Sequence, residues 1–163
     1  MRLAVISDIH SNLEALERAF RSIDEANVDA VYCLGDVVGY NADPAACVDL
    51  VRERCEAVVL GNHDAAVARE ADVDFLPADG QEAARHNRAQ LSEAQRDYLA
   101  DRPLTHTVEN CTFVHATPDA PTAWKRLTAY PAAQAQFGHF DTDVCFIGHT
   151  HSPAVMADTL GIF

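Results

Sequence analysis

Lysine is almost missing from these 163 residues: Lys125 stands alone beside 11 arginines. Against those 12 cations stand 25 acidic residues, a formal net charge of −13. So acidic a chain argues against a long nucleic acid as partner, because phosphate backbones are gripped by basic faces. It argues equally against docking on an anionic membrane surface. No apolar run comes near the roughly 18 residues that suggest a membrane-spanning helix. The N-terminus opens directly on strand-like Arg2-Leu-Ala-Val-Ile6, without the cationic start and long apolar stretch of a secretion signal. A cysteine framework is lacking too. Cys33, Cys47, Cys55, Cys111 and Cys145 are odd in number and include no CxxC pair, which excludes a disulfide scaffold and a zinc ribbon. Cys33 and Cys145 sit in apolar strand-like runs and Cys47 on an apolar helix face, the setting of small buried hydrophobes. The expected compartment is the cytoplasm. Without repeats, low-complexity tracts or linkers, residues 1–163 are expected to form one domain. Bulky core material is moderate, since 28 of the apolar residues are alanine.

What is present is an alternation of strand and helix signals. Leu3–Ile6 is an apolar run short enough for a buried strand. Ser11-x-x-Glu14 offers a capping box, followed by Leu13, Leu16, Phe20 and Ile23 at helical spacing. Ala30–Leu34 reads as a second strand, Asp43-Pro44 as the start of a second helix, and Ala57–Leu60 as a third strand. This order predicts a parallel sheet with right-handed crossovers. Residues 62–70 read as helical and Asp72–Gly80 as an acidic loop. A helical stretch over 81–101 carries a break at Leu91-Ser92. Thr105–Val108 and Cys111–Val114 form a hairpin pattern around Glu109-Asn110. A helix near 132–138, a strand at Val144–Ile147 and a candidate strand at Ala154–Ala157 complete the pattern.

The polar residues cluster where these strands end. The first strand runs into Ser7-Asp8-Ile9-His10, the second into Gly35-Asp36, the third into Gly61-Asn62-His63-Asp64. Cys111–Val114 ends at His115, and Val144–Ile147 at Gly148-His149-Thr150-His151. Open α/β sheets bind ligands beyond the carboxyl ends of their strands, so these clusters are expected to converge on one rim. Mixed aspartate, asparagine and histidine suits Mn²⁺, Fe, Zn²⁺, Ni²⁺ or Co²⁺ better than Ca²⁺ or Mg²⁺ alone. Taken singly, Asp8 and Asp36 could be turn-capping aspartates and Asn62 a left-handed turn residue. His106 and His139 compete with His115, but only His115 follows a strand. His86, His106 and His139 read as surface or packing residues, and Trp124 and Tyr130 as loop anchors. Tyr40 could face a substrate, with core or surface as the plainer reading.

Asp8-x-His10, Gly35-Asp36, Gly61-Asn62-His63-Asp64, a single His115 and Gly148-His149-x-His151, in that order, resemble the signature of the calcineurin-like metallophosphoesterases. The likeness is to their small bacterial and archaeal phosphodiesterase-type members, and it runs from Met1 to about Ser152. It implies a layered α/β/β/α sandwich with a mostly parallel first sheet. It implies that Asp8, His10 and His151 bind one metal ion, that Asp36 bridges, and that Asn62, His115 and His149 complete a second site. His63 is then the non-ligand histidine that contacts the phosphate and, as imidazolium, protonates the leaving oxygen, and Asp64 orients it. The cofactors implied are two divalent transition metal ions, Mn²⁺ foremost, with Ni²⁺, Fe, Zn²⁺ or Co²⁺ as alternatives. The reaction implied is phosphodiester hydrolysis of a small nucleotide-like substrate by hydroxide that the dinuclear metal site activates. A phosphomonoesterase of the same fold is one alternative. The other is a non-catalytic scaffold resembling the metal-poor retromer subunit, which expects His63 to be replaced.

Three departures from that pattern matter. Gly35-Asp36 is followed by Val37-Val38-Gly39-Tyr40, where the family's phosphoprotein phosphatases and dinucleoside tetraphosphatases carry an aspartate-arginine pair. His115 is followed by Ala116-Thr117-Pro118, where close relatives carry Gly-Ser-Pro. Eleven residues follow Ser152, where relatives continue with further strands. The chain is therefore expected to be C-terminally shortened, with an incomplete second sheet, an exposed edge and a tendency to form a homo-oligomer.

Overall fold

A computed structural model describes residues 1–157 of the chain. Leu3–Ile6 (β1), Ala30–Cys33 (β2) and Ala57–Val58 (β3) form a parallel sheet in the order β1-β2-β3, with Leu3 opposite Ala30 and Tyr32 opposite Ala57. Leu13–Ala26 (α1) and Pro44–Arg54 (α2) are its two crossovers. The third strand is shorter than expected: Val59 N still donates to Cys33 O at 3.0 Å, but Leu60 N turns away to Pro103 O at 2.8 Å.

Side-chain alternation along these strands divides the interior in two. Ala4, Ile6, Val31, Cys33 and Val58 face the helices, where Leu16, Phe20, Cys47, Val48 and Val51 meet them. Leu3, Val5, Tyr32, Leu34 and Val59 face the other way, onto a second sheet. That sheet is made of Thr105–Val108 (β4), Cys111–Val114 (β5) and Val144–Ile147 (β6). The first two pair antiparallel through the Glu109-Asn110 turn, and β6 adds parallel to β5. Phe113 is the centre of the inter-sheet layer, with ring centroids 4.5 Å from Tyr32 and 5.2 Å from Phe146. Each such pair adds about 0.5–1.5 kcal/mol beyond the area it buries. The fold is thus a layered α/β architecture: helices, parallel sheet, mixed sheet.

Local details depart from the sequence reading for physical reasons. Ser11 does not cap α1. Its hydroxyl donates to Asn87 Oδ1 at 2.7 Å, and the cap passes to Asn12, whose Oδ1 accepts from Ala15 N at 3.1 Å. Residues 72–80 are not a loop. Glu70–Phe75 is a 3₁₀ turn anchored by buried Val73, Leu76 is buried just beyond it, and Ala78–Gln90 (α4) begins inside the acidic run. Between Asn62–Ala68 (α3) and that turn the chain hardly leaves helical geometry. The break at Leu91-Ser92 is present: Ser92 caps Glu93–Ala100 (α5) in a reciprocal box with Gln95. Tyr130–Gln134 (α6) starts two residues before the expected helix and tightens into a 3₁₀ turn through Gly138. Ala154–Ala157 has no strand partner among the described residues. Among the described residues no helix is long and apolar enough to cross a membrane.

Candidate metal centre

Every strand but β4 delivers a polar side chain to one rim, and the backbone bends sharply to do so. Asp8, His10, Asp36, His149 and His151 all have positive φ, between 50° and 64°. Left-handed backbone at a residue other than glycine costs on the order of 1–3 kcal/mol and concentrates at functional sites. The turns hold one another in place. Asp8 N donates to Gly35 O at 3.0 Å, His10 N to Asp36 O at 2.9 Å, Ser11 N to Val37 O at 2.9 Å and Gly148 N to His115 O at 3.0 Å. Gly61 is required by close approach: a Cβ there would run into the Asp36 backbone N and carboxylate.

The side chains gather in two linked groups. In the first, Asp8 Oδ1 lies 3.2 Å from His151 Nε2 and 3.9 Å from His10 Nε2, and the two imidazole nitrogens are 3.1 Å apart. In the second, His115 Nε2 lies 3.3 Å from Asp36 Oδ2, 3.1 Å from Asn62 Oδ1 and 3.2 Å from His149 Nδ1. Asp36 sits between them, its Oδ2 also 3.8 Å from His10 Nε2. A third overlapping group joins His10, Asp36 and His63, whose candidate donor atoms lie within 4.8 Å of one another, so His63 stands as near the centre as several of the expected ligands.

Three of these imidazoles have their tautomers set by carbonyl groups, which only accept. His10 Nδ1 donates to Val38 O at 3.2 Å, His115 Nδ1 to Leu34 O at 2.8 Å and His149 Nε2 to Trp124 O at 2.9 Å. In each neutral ring the other nitrogen is a lone pair, and it points into the cluster. Backbone carbonyls commonly orient metal-binding histidines in this way. The residues therefore present lone pairs to lone pairs: three imidazole nitrogens, the Asn62 amide oxygen and the carboxylates of Asp8 and Asp36. Asp8 Oδ1 is buried without a hydrogen-bond partner among the described residues, while Oδ2 accepts from Ser7 Oγ at 2.5 Å and His149 N at 3.0 Å. Such a set needs a positive link, and divalent cations fit its mixed oxygen and nitrogen donors.

Electrostatics favour positive charge at the same point, as a proton on His115 wherever no cation takes that nitrogen's lone pair. Burial pushes the Asp36 carboxyl up, but the facing His115, with His63 and His10, more than offsets this and holds it well below the usual carboxylate range. Burial pushes His115 down, and Asp36 more than reverses it, to about 9. His149 is lowered, first by burial and then by His115. Asp64 is raised to about 7 by burial and by the charge of Asp36.

The seven expected ligands, Asp8, His10, Asp36, Asn62, His115, His149 and His151, are thus brought together. Five are buried, while Asp8 is half-buried and His151 is exposed at the mouth. His106 stacks on Tyr32 between the sheets, and His86 and His139 are exposed away from the site. His63 is 3% exposed, and its Nδ1, facing Gly39, has no hydrogen-bond partner among the described residues. Burial lowers its pKa to about 4, so this ring takes up a proton only with a further negative charge beside it. Asp64, expected to orient His63, makes no hydrogen bond to its ring among the described residues. Asp64 instead accepts from Val38 N at 3.1 Å and Gly61 N at 3.2 Å, tying the loop after β2 to the start of α3. Tyr130 is 52% exposed, whereas half-buried Trp124 contributes its carbonyl to His149.

Sequence reasoning missed Asn87. It is fully buried in α4, accepts from Ser11 Oγ and Gly39 N at 2.7 Å each, and donates to Asn41 O at 3.1 Å. The available signal was spacing: Gly80, Ala84, Asn87 and Leu91 fall on one helical stripe, where a lone amide among small and apolar residues implies a buried partner.

Comparison with known proteins points the same way as the geometry. Residues 1–162 match the sequence model of the calcineurin-like phosphoesterase superfamily domain. An uncharacterized protein of Methanocaldococcus jannaschii is 35% identical over 161 residues, which are 96% of this chain and 65% of that protein. A metallophosphoesterase crystal structure from Sphaerobacter thermophilus superposes with a TM-score of 0.80 at 37% identity, over 93% of this chain and 61% of that one. The crystal structure of a proposed diadenosine tetraphosphatase superposes with a TM-score of 0.56 at 25% identity, over 71% of this chain and 50% of that one. The chain therefore spans somewhat under two thirds of the length of these relatives.

Proposed function

We propose that this chain, which belongs to the calcineurin-like phosphoesterase superfamily, hydrolyses phosphodiester bonds of a small nucleotide-like substrate with the help of two divalent metal ions. One observation carries the reading: side chains from five strand ends converge with the lone pairs of His10, His115 and His149 aimed inward by backbone carbonyls. In this reading Asp8, His10 and His151 hold one ion, Asn62, His115 and His149 the other, and Asp36 is shared. The preferred ions are Mn²⁺ first, then Ni²⁺, Fe, Zn²⁺ or Co²⁺. When bound, they supply Lewis-acid neutralisation of the phosphoryl oxygens and acidify water.

The chain's own residues do the rest. The strained turns fix the donors before substrate arrives, so no reorganisation is spent on assembling them. His63 touches the same centre and hands a proton to the leaving oxygen, and the negative charge of a bound phosphate favours its protonated form. Asp64 positions His63 through the backbone rather than through its ring. With 25 acidic residues against 12 basic ones, the ions rather than a basic patch attract the substrate. A small phosphate ester in the cytoplasm is the partner this surface suits, and strand β6, at the edge of its sheet among the described residues, suits a homo-oligomer. The diadenosine tetraphosphatase activity proposed for one structural neighbour is not carried over, because Val37-Val38-Gly39-Tyr40 stands where that branch carries an aspartate-arginine pair.

The test is elemental analysis of the purified chain, followed by initial rates on bis-p-nitrophenyl phosphate and p-nitrophenyl phosphate with added Mn²⁺. The proposal expects about two metal equivalents and the diester turned over faster. A faster monoester would move the assignment to a phosphomonoesterase. No metal and no turnover would leave the non-catalytic scaffold. Asp36→Asn is expected to lose metal and activity together.

A further inference from the structure

Tyr40 is a large side chain that packs on two histidines of this site and stays open to solvent. Its ring lies 5.0 Å from that of His10 at 72° and 4.6 Å from that of His63 at 49°, yet the residue remains 42% exposed. Its backbone is left-handed, φ 64°, directly after Gly39 at φ 102°. Gly39 is obligatory there, because a Cβ would sit 2.6 Å from His63 Nδ1. An aromatic residue at positive φ is an outlier that persists only where its surroundings enforce it. Those surroundings are built. Buried Asn87 accepts from Gly39 N and donates to Asn41 O, and Asn41 donates to His10 O through both its N, at 3.2 Å, and its Nδ2, at 2.8 Å. The residues on either side of Tyr40 are thus clamped to the ligand loop and to α4. One side of the ring is packed on the two histidines, and the other is open beside the centre.

We propose that Tyr40 is a specificity-determining stacking platform, which gives the site a preference for phosphate esters bearing an aromatic ring, a nucleobase included. The inference rests on the phosphoesterase reading above and sharpens its substrate class. Tyr40 touches His63, the residue placed to protonate the leaving oxygen, so a planar group on the ester stacks on the free face of the phenol ring. Stacking needs the ring and not the hydroxyl. Aromatic pairs of this kind change affinity about threefold to tenfold.

The experiment compares two ligands that share a phosphonate head and resist hydrolysis. Binding of phenylphosphonate and methylphosphonate to the Mn²⁺-loaded full chain is measured by calorimetry. Wild type is expected to bind phenylphosphonate at least threefold more tightly. Tyr40→Leu is expected to bring that ratio near one, and Tyr40→Phe to keep it. A purely structural role for Tyr40 would weaken both ligands equally in Tyr40→Leu and leave the ratio standing, which overturns the proposal. A wild-type ratio near one, or a Tyr40→Phe variant as unselective as Tyr40→Leu, also overturns it. In those outcomes methylphosphonate still binds, and the phosphoesterase reading survives. If wild type binds neither phosphonate, that underlying reading fails and takes the stacking role with it.

Discussion

At the scale of single residues the site is a problem of proton placement. Three carbonyl groups, of Leu34, Val38 and Trp124, decide which nitrogen of His115, His10 and His149 carries hydrogen. None of these carbonyls belongs to a recognisable motif, yet each sets the donor that its histidine presents. His63 is treated differently: its Nδ1 has no hydrogen-bond partner among the described residues and its burial disfavours charge. Its contribution is therefore expected only when a phosphate is bound. His63→Ala should lower kcat on bis-p-nitrophenyl phosphate by about 10²–10⁴-fold, the usual worth of general acid–base catalysis. Metal content, read by elemental analysis, should be unchanged. Wild-type turnover in that variant would remove His63 from the reaction.

At the scale of elements, α4 holds the site from behind. Asn87 joins Ser11 from the loop after β1 to Gly39 and Asn41 from the loop after β2. Asn87→Ala leaves the buried Gly39 N–H and the Ser11 hydroxyl without their acceptor, which costs on the order of 1–3 kcal/mol. A urea titration should show a loss of that size, and activity should fall more than stability explains, because the same loop backs His63 and carries Tyr40. Asn87→Asp keeps the two acceptor bonds and should recover part of both. The loop ending each strand was legible from the order of Asp8, Asp36, Asn62, His115 and His149, because each polar cluster directly follows an apolar run. The α4 contribution was not legible. It depends on a helix 46 to 76 residues away in sequence reaching these loops, and periodicity along one helix does not say what the helix faces.

At the scale of the whole molecule, the native state stores two linkages. Divalent ions that bind only the folded chain should stabilise it by about 2.7 kcal/mol at a hundredfold excess over Kd. Thermal unfolding with Mn²⁺ and then with EDTA should show that shift and its reversal. The second linkage is alkaline. Burial holds the Cys47, Cys55 and Cys145 thiols up at about 12, and Cys33 well above its ordinary value. An unfolded cysteine ionises near pH 8.5, so above that pH the unfolded chain has lost protons that the native chain retains. The sign is then fixed: stability is full below about pH 8.5 and falls as pH rises toward the native thiol pKa. Denaturation midpoints should drop between pH 9 and pH 11, and Cys47→Ala should flatten the slope. A midpoint that is level over that range would contradict the burial of these thiols.

Sequence alone determined the strand–helix alternation, the parallel order of the first three strands, the hairpin at Glu109-Asn110 and the identity of the clustered donors. These follow from local periodicity and from residues fixed relative to their own strand. Tertiary structure decided which carbonyl orients each histidine, that Asp64 braces backbone rather than His63, that Asn12 displaces Ser11 as a cap, and that Tyr40 stands at the mouth. Each of those choices is a competition for one hydrogen bond or one contact between segments far apart in the chain. Only the packed arrangement of both sheets and α4 brings the competitors within reach.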